Sequence, residues 1–321
     1  VSSWIARKPM TFRDILDALA QGTRNIMTTA ILLITVGLIV MVISTTGIGN
    51  TFSLMITEWA GGSLLVTIVL VALASLILGM GLPVTAAYIV LATLSAPAIY
   101  QLIAQSQLID LMASGNLPEQ ARAIFMLTSP DAMELLNAPM ERAQAVAMLA
   151  EVPENFTGQL LEQALSPHAL TMALVSAHMI IFWLSQDSNV TPPVCLTAFA
   201  AAAIAGTPAM RTGLTAWKIA KGLYIVPLLF AYSPLISGTP LEMFMVFTFA
   251  LFGIYAIIAG LEGYLEHPLQ WWLRALMFPV GALMLWPHGM IWIDLAGVAI
   301  FVALLVWSAR FRSGPGVAAT S

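Results

Sequence analysis

Five polar side chains in succession, Ser185-Gln186-Asp187-Ser188-Asn189, interrupt a stretch that is otherwise apolar from Ala177 to Gly206. After Val190 come Thr191 and two prolines, Pro192 and Pro193. Carboxylate, carboxamide and hydroxyl oxygens gathered in this way are hard ligands for a small cation. A second group lies upstream, Gly79-Met80-Gly81-Leu82-Pro83, with Thr85 just beyond it. Gly79 and Gly81 let backbone carbonyls approach a cation closely, because no Cβ stands in the way, and Thr85 adds a hydroxyl. Other chemistry is thinly represented. Asp187 with His178 would be the pair for an intramembrane enzyme, but the chain has no G-x-S-x-G or H-E-x-x-H run. His178 reads as a packed, hydrogen-bonded histidine on an apolar face, and the single Cys195 as a small apolar residue. One cysteine excludes an internal disulfide framework and a Cys-rich zinc site.

The elements that must position these groups are membrane helices. The 321 residues are 60% hydrophobic and 9% charged, with a mean hydropathy of +0.91, the composition of an all-α polytopic membrane protein. Ala177 to Gly206 is long enough to cross a bilayer, for which about 20 apolar residues suffice. Its middle is not ordinary membrane helix, since Pro192 and Pro193 lack N–H donors and proline disfavours the α conformation before it. The alternatives are two half-helices meeting at a polar gap, or a kinked span whose freed groups are satisfied by neighbours. An acid inside the membrane is costly without a task and favours the gap. Ser63 to Leu78 is apolar for less than a full crossing, stops at the Gly/Pro tip, and resumes from Val84 to Ala104. This pair is a broken span, a helical hairpin, or two complete spans joined by a tight loop.

The remaining charges set the topology. Residues 1–27 carry Arg7, Lys8, Arg13 and Arg24, and Phe12, Ile15, Leu16 and Leu19 recur at helical spacing. They predict a basic amphipathic helix on the cytoplasmic surface, followed by a span from Met27 to Ile48. Residues 105–169 hold eight carboxylates against two arginines, a net of −6, on short amphipathic segments punctuated by Pro118, Pro130, Pro139 and Pro153. They predict a small aqueous cap. Arg211, Lys218 and Lys221 cluster without a nearby acid, spans follow at 222–238, 241–261, 273–286 and 290–308, and Arg310 and Arg312 close the chain. With 1–27 inside, all three basic clusters fall on the inner side and the acidic cap outside, as the positive-inside rule requires.

These motifs resemble the TRAP transporter family, specifically fused permeases of its TAXI branch. L-I-L-G-M-G-L-P-V-T-A-A-Y-I-V-L-A at 76–92 is similar to that branch's second hairpin signature, and V-T-P-P-V-C-L-T-A-F-A-A-A-A-I-A-G at 190–206 to the helix break that follows it. F-R-D-I-L-D-A-L and G-T-P-A-M-R-T-G-L-T-A-W-K also fit. There are three departures. Related dicarboxylate permeases carry an aspartate where this chain has Pro83, many relatives have threonine at Val84, and the family joins hairpin to break by a short connection where this chain has its cap.

The resemblance implies an ion-transporter-like elevator fold, of which this chain is the second inverted repeat, a helical hairpin plus a broken transmembrane helix. It implies a sodium-coupled importer of organic acids, in the bacterial inner membrane, fed by a periplasmic solute-binding protein. The missing N-terminal half of the permease and the lipid bilayer would be its other partners, with no nucleic acid and no enzymatic activity. A carboxylate transporter acting without a binding protein is the alternative. In the resemblance Gly79, Met80, Gly81 and Thr85 face Asn189, Val190, Thr191 and Pro192 around sodium. Gly79, Gly81, Asn189 and Thr191 give oxygens, with Asp187 either a further ligand or a structural acid. The expected organisation is a surface helix at 1–27, a span and re-entrant hairpin at 28–104, and the periplasmic cap at 105–169. The broken helix and a further span follow at 170–238, then C-terminal helices at 239–309 and a cytoplasmic tail at 310–321.

Overall fold

The computed structural model describes residues 11–128, 136, 138–193, 195–265, 267–286 and 290–311. Arg7, Lys8, Pro130, Asp131, Glu134 and Arg312, all used above, lie outside them. The described chain is helical apart from a two-residue ribbon, Tyr264–Leu265 paired antiparallel with His267–Pro268. Among the described residues, five helical segments are long and apolar enough to cross a membrane, and a sixth is gained if one sharply bent pair counts as a span. The chain is thus a multi-pass membrane protein by length and composition.

The bent pair opens the chain. Thr11 caps α1 (Phe12–Thr46), accepting from the Asp14 N–H while the Asp14 carboxylate accepts from the Thr11 N–H and hydroxyl. This ring of hydrogen bonds holds the Asp14 carboxyl below its usual range. The boundary expected near residue 27 is absent, because nothing between Phe12 and Thr46 breaks helix: no proline occurs and threonine hydroxyls bond back to carbonyls four residues earlier. Gly47, at φ +69°, ends it, and α2 (Ile48–Trp59) leaves at a 75° bend. This helix is laid against the segment Val84–Ala113. Pro97 has no N–H to return to the Thr93 carbonyl; Gly49 packs there, where an added Cβ would stand 3.1 Å from that oxygen. One turn on, the Ser53 hydroxyl donates to the Leu94 carbonyl at 2.7 Å.

The two apolar runs around the Gly/Pro tip form a hairpin of helices. Its arms are α3 (Leu64–Gly79), capped by Ser63, and α4 (Val84–Ala113), which starts after Pro83. At 30 residues α4 is about 45 Å long, longer than the ~30 Å hydrocarbon core. Its last turns reach the acidic segment, where Arg142 pairs with Asp110 and donates to Ser106. There α5 (Glu119–Thr128), α6 (Arg142–Ala150) and α7 (Glu154–Ala164) bury Leu117, Phe125, Leu149 and Leu160 in one core with Leu108 and Ala173. The cap is continuous with the body beneath it.

Ser166 and Pro167 start α8 (Pro167–Ser185), which packs along α4 and ends in a tight 3-10 turn, Gln186–Asn189. After the prolines, α9 (Leu196–Ala205) resumes and folds back on α10 (Ala209–Ile219). A second 3-10 turn, Ala220–Tyr224, leads into α11 (Val226–Tyr232). The span expected at 222–238 is displaced. The apolar run is Ala209–Tyr232, since Pro227 fits the start of α11 and Ser233-Pro234 ends it.

Three more helices, α12 (Pro240–Glu262), α13 (Trp271–Leu285) and α14 (Ile291–Phe311), have their own core around Ala256, Met277, Val280 and Phe301. Gly253 and Gly281 let α12 and α13 touch, since a Cβ on Gly281 would sit 2.5 Å from Ile257 and 2.8 Å from the Gly253 carbonyl. The expected span at 273–286 is short: α13 has 15 residues, about 22 Å of helix. The two bodies are linked by Glu262, which accepts from Lys221 at 2.9 Å and pairs with Lys218 at 3.1 Å.

Candidate functional site

The helix break and the hairpin tip meet through one glycine. At the C-terminal end of α3, Gly79 lies against the 3-10 turn; a Cβ there would be 3.2 Å from both the Cα and the nitrogen of Ser188. A side chain at this position would press the two backbones apart by a few tenths of an ångström, so glycine suits the approach. The Pro83 ring, four residues on, has no N–H to offer the Gly79 carbonyl. The turn bonds instead close on Leu78, whose carbonyl accepts from the Gly81 and Leu82 N–H groups at 3.0 and 2.9 Å. The negative end of the α3 dipole is thus directed at the break.

Asp187 is the centre of the break. It is 1% exposed, and its Oδ1 accepts hydrogen bonds from the Thr191 hydroxyl at 2.6 Å and the Tyr224 hydroxyl at 2.7 Å. Its backbone carbonyl accepts from the Val190 and Thr191 N–H groups at 3.0 and 2.9 Å, which folds the chain tightly before the prolines. Its Oδ2 is buried and has no partner among the described residues. Ser188 donates to the Ser185 carbonyl at 3.0 Å. The Asn189 carboxamide is engaged at both ends, donating to Gln186 at 3.1 Å and accepting from the Thr197 hydroxyl of α9 at 3.0 Å. That last bond ties the first turn of α9, a positive helix end, to the break.

The sequence-derived residues divide by place. Gly79, Asp187, Asn189, Val190 and Thr191 stand together at the break, and Pro192, in a cis Pro192–Pro193 unit, packs toward α10. Met80, Gly81 and Thr85 are exposed at the tip, and a Cβ on Gly81 would meet nothing within 4 Å. Cys195 is fully buried; its sulfur stands 2.6 Å from where a Cβ on Gly213 would lie, so α9 and α10 close over it. His178 accepts or donates a 3.1 Å hydrogen bond to Tyr88 of the hairpin, nine residues before the acid. Tyr224 was missed, and Ser188 was seen only as a member of the polar run. A buried carboxylate needs donors, so a tyrosine inside an apolar span was the signal for the first; nothing in the sequence marks the contact of the second with Gly79.

No group of three or more His, Cys, Asp or Glu side chains able to hold a metal comes together among the described residues. What the break gathers instead is a single carboxylate with two hydroxyls, oxygen donors of the hard class. Among known families, the model for the tripartite ATP-independent periplasmic transporter, DctM component, matches residues 1–238. No curated protein and no solved structure matches the chain significantly. The match ends where α11 gives way to α12, so it takes in the hairpin, the cap and the break, and leaves out the C-terminal unit. The chain belongs to the DctM component family of tripartite ATP-independent periplasmic transporters, a family of membrane permease components and not of enzymes.

Proposed function

We propose that the chain is the permease component of a sodium-coupled importer of organic acids, working in the bacterial inner membrane with a periplasmic solute-binding protein. The motif resemblance supports reading it as the second half of a fused TAXI-branch permease. The observation that carries the coupling is the orphaned Oδ2 of Asp187, buried at the break while Oδ1 is saturated by two hydroxyls. A bare carboxylate oxygen at membrane depth is costly, and a cation removes that cost. Sodium, when bound, supplies the compensating charge. Asp187, the Thr191 hydroxyl and the Gly79 carbonyl are the groups of this chain that would hold it, with the α3 C-terminus contributing partial negative charge. The α9 N-terminus beside Asn189 offers partial positive charge to a substrate carboxylate. Because Gly79 fits directly onto Ser188 and the arms share a core with α8, the hairpin and broken helix move as one block in alternating access.

Uptake into liposomes, with sodium and the solute receptor varied independently, is the test. Asp187→Asn should abolish the sodium dependence and lower uptake more than tenfold, a loss of at least about 1.4 kcal/mol. Sodium-independent uptake by the parent protein, or an unchanged sodium response in Asp187→Asn, would overturn the reading.

A further inference from the structure

Two cavities open between the hairpin-bearing body and the C-terminal unit. They share Leu229, Ser233, Leu285 and Trp286, so they form one crevice. Its inner part, about 420 Å3, is walled by Leu65 of α3, Ile225 and Leu228 at the start of α11, and Ile257 of α12. These residues sit on apolar helices of a membrane protein, and an apolar groove between such helices suits an acyl chain. The outer part, about 330 Å3, is chemically different, because Glu242 and Asp294 line it beside Ser233 and Trp286. Both acids belong to the first turns of their helices, α12 and α14, and Trp286 caps the end of α13. Helix ends and an exposed tryptophan place this mouth at the membrane surface.

We propose that the crevice binds one phospholipid with an ammonium headgroup, its acyl chain in the apolar slot and its ammonium at the acidic mouth. Charge complementarity with Glu242 selects the headgroup: a net-anionic lipid would bring its uncompensated phosphate against this carboxylate, whereas in a zwitterionic lipid the ammonium offsets the phosphate and is drawn to it. The lipid would fill the joint between the family-matched body and the unit that follows it, at the end away from the Glu262–Lys218–Lys221 ion pairs. This inference stands independently of the coupling ion and the substrate.

The full-length chain, purified in mild detergent, is exchanged into mixed micelles containing equal phosphatidylethanolamine and phosphatidylglycerol, and the retained lipid is quantified by mass spectrometry. The parent should retain phosphatidylethanolamine over phosphatidylglycerol by about fivefold or more, a preference near 1 kcal/mol on the tenfold-per-1.4 scale. Glu242→Gln, which keeps an oxygen to cap Thr239, should bring the ratio close to one. Ala282→Trp and Leu65→Trp, which fill the slot from opposite walls, should each lose most of the retained lipid. Equal retention of the two lipids by the parent overturns the proposal, as does full retention by a folded Trp variant or an unchanged ratio in Glu242→Gln. If the Trp variants do not fold, the parent ratio and the Glu242→Gln ratio decide the matter.

Discussion

A single carboxylate dictates the layout of its surroundings. Asp187 draws Thr191 from four residues along and Tyr224 from 37 residues along onto the same oxygen, while the other oxygen stays bare. The first partner was legible in the sequence, because polar residues clustered before two prolines announce a break, and Thr191 belongs to that cluster. The second was not, since an i to i+37 contact depends on how α9 and α10 fold back, which local pattern does not encode. Hydrogen bonds to a charged group contribute about 1.5–3 kcal/mol. Tyr224→Phe should therefore destabilise the folded protein by an amount in that range, read as a lower midpoint of thermal unfolding, and shift sodium activation. Thr191→Ala should weaken sodium activation strongly. Asn189→Ala should weaken it less, because its carboxamide is already occupied by Gln186 and Thr197. Unchanged sodium activation curves in all three variants would remove these side chains from the site.

At the level of elements, hydropathy and glycine–proline punctuation located the hairpin and the break, because Gly79, Pro83, Pro192 and Pro193 act on the backbone wherever they fall. They did not locate the ends of α1 or of the 209–232 span. Those ends depend on caps and on tertiary support for the two 3-10 turns. Nor did composition reveal that the acidic stretch shares a core with α4 and α8. Leu117, Phe125, Leu149 and Leu160 are all buried there, so removing 112–160 would empty the body's own interior. The charge can be altered without that damage, since Glu119, Glu141, Glu151 and Glu162 are exposed. If the cap docks the solute receptor electrostatically, changing all four to Gln should raise the receptor concentration for half-maximal uptake at low salt. The difference should shrink at 0.15 M salt, where the screening length is about 8 Å, and the sodium response should stay as it was. An identical receptor requirement in parent and variant at low salt means the cap is no docking surface.

On the scale of the whole molecule, the charge distribution predicts which end faces which compartment. Ser114 is exposed just past α4, and Ser114→Cys in a chain carrying Cys195→Ala should react with an impermeant thiol reagent in intact cells. Reaction only after lysis would reverse the topology. Left in place, the native thiol has a use of its own. Cys195 is sealed where α9 meets α10, with its sulfur in the space that Gly213 leaves empty. A small alkylating reagent reaches it only while these two helices stand apart. If the helices separate during the transport cycle, Cys195 is a built-in stopwatch: its alkylation rate, followed by mass spectrometry, counts openings of the break with no engineered probe. That rate should change when sodium or substrate biases the cycle, and a rate indifferent to both would mean that α9 and α10 travel together as a rigid pair.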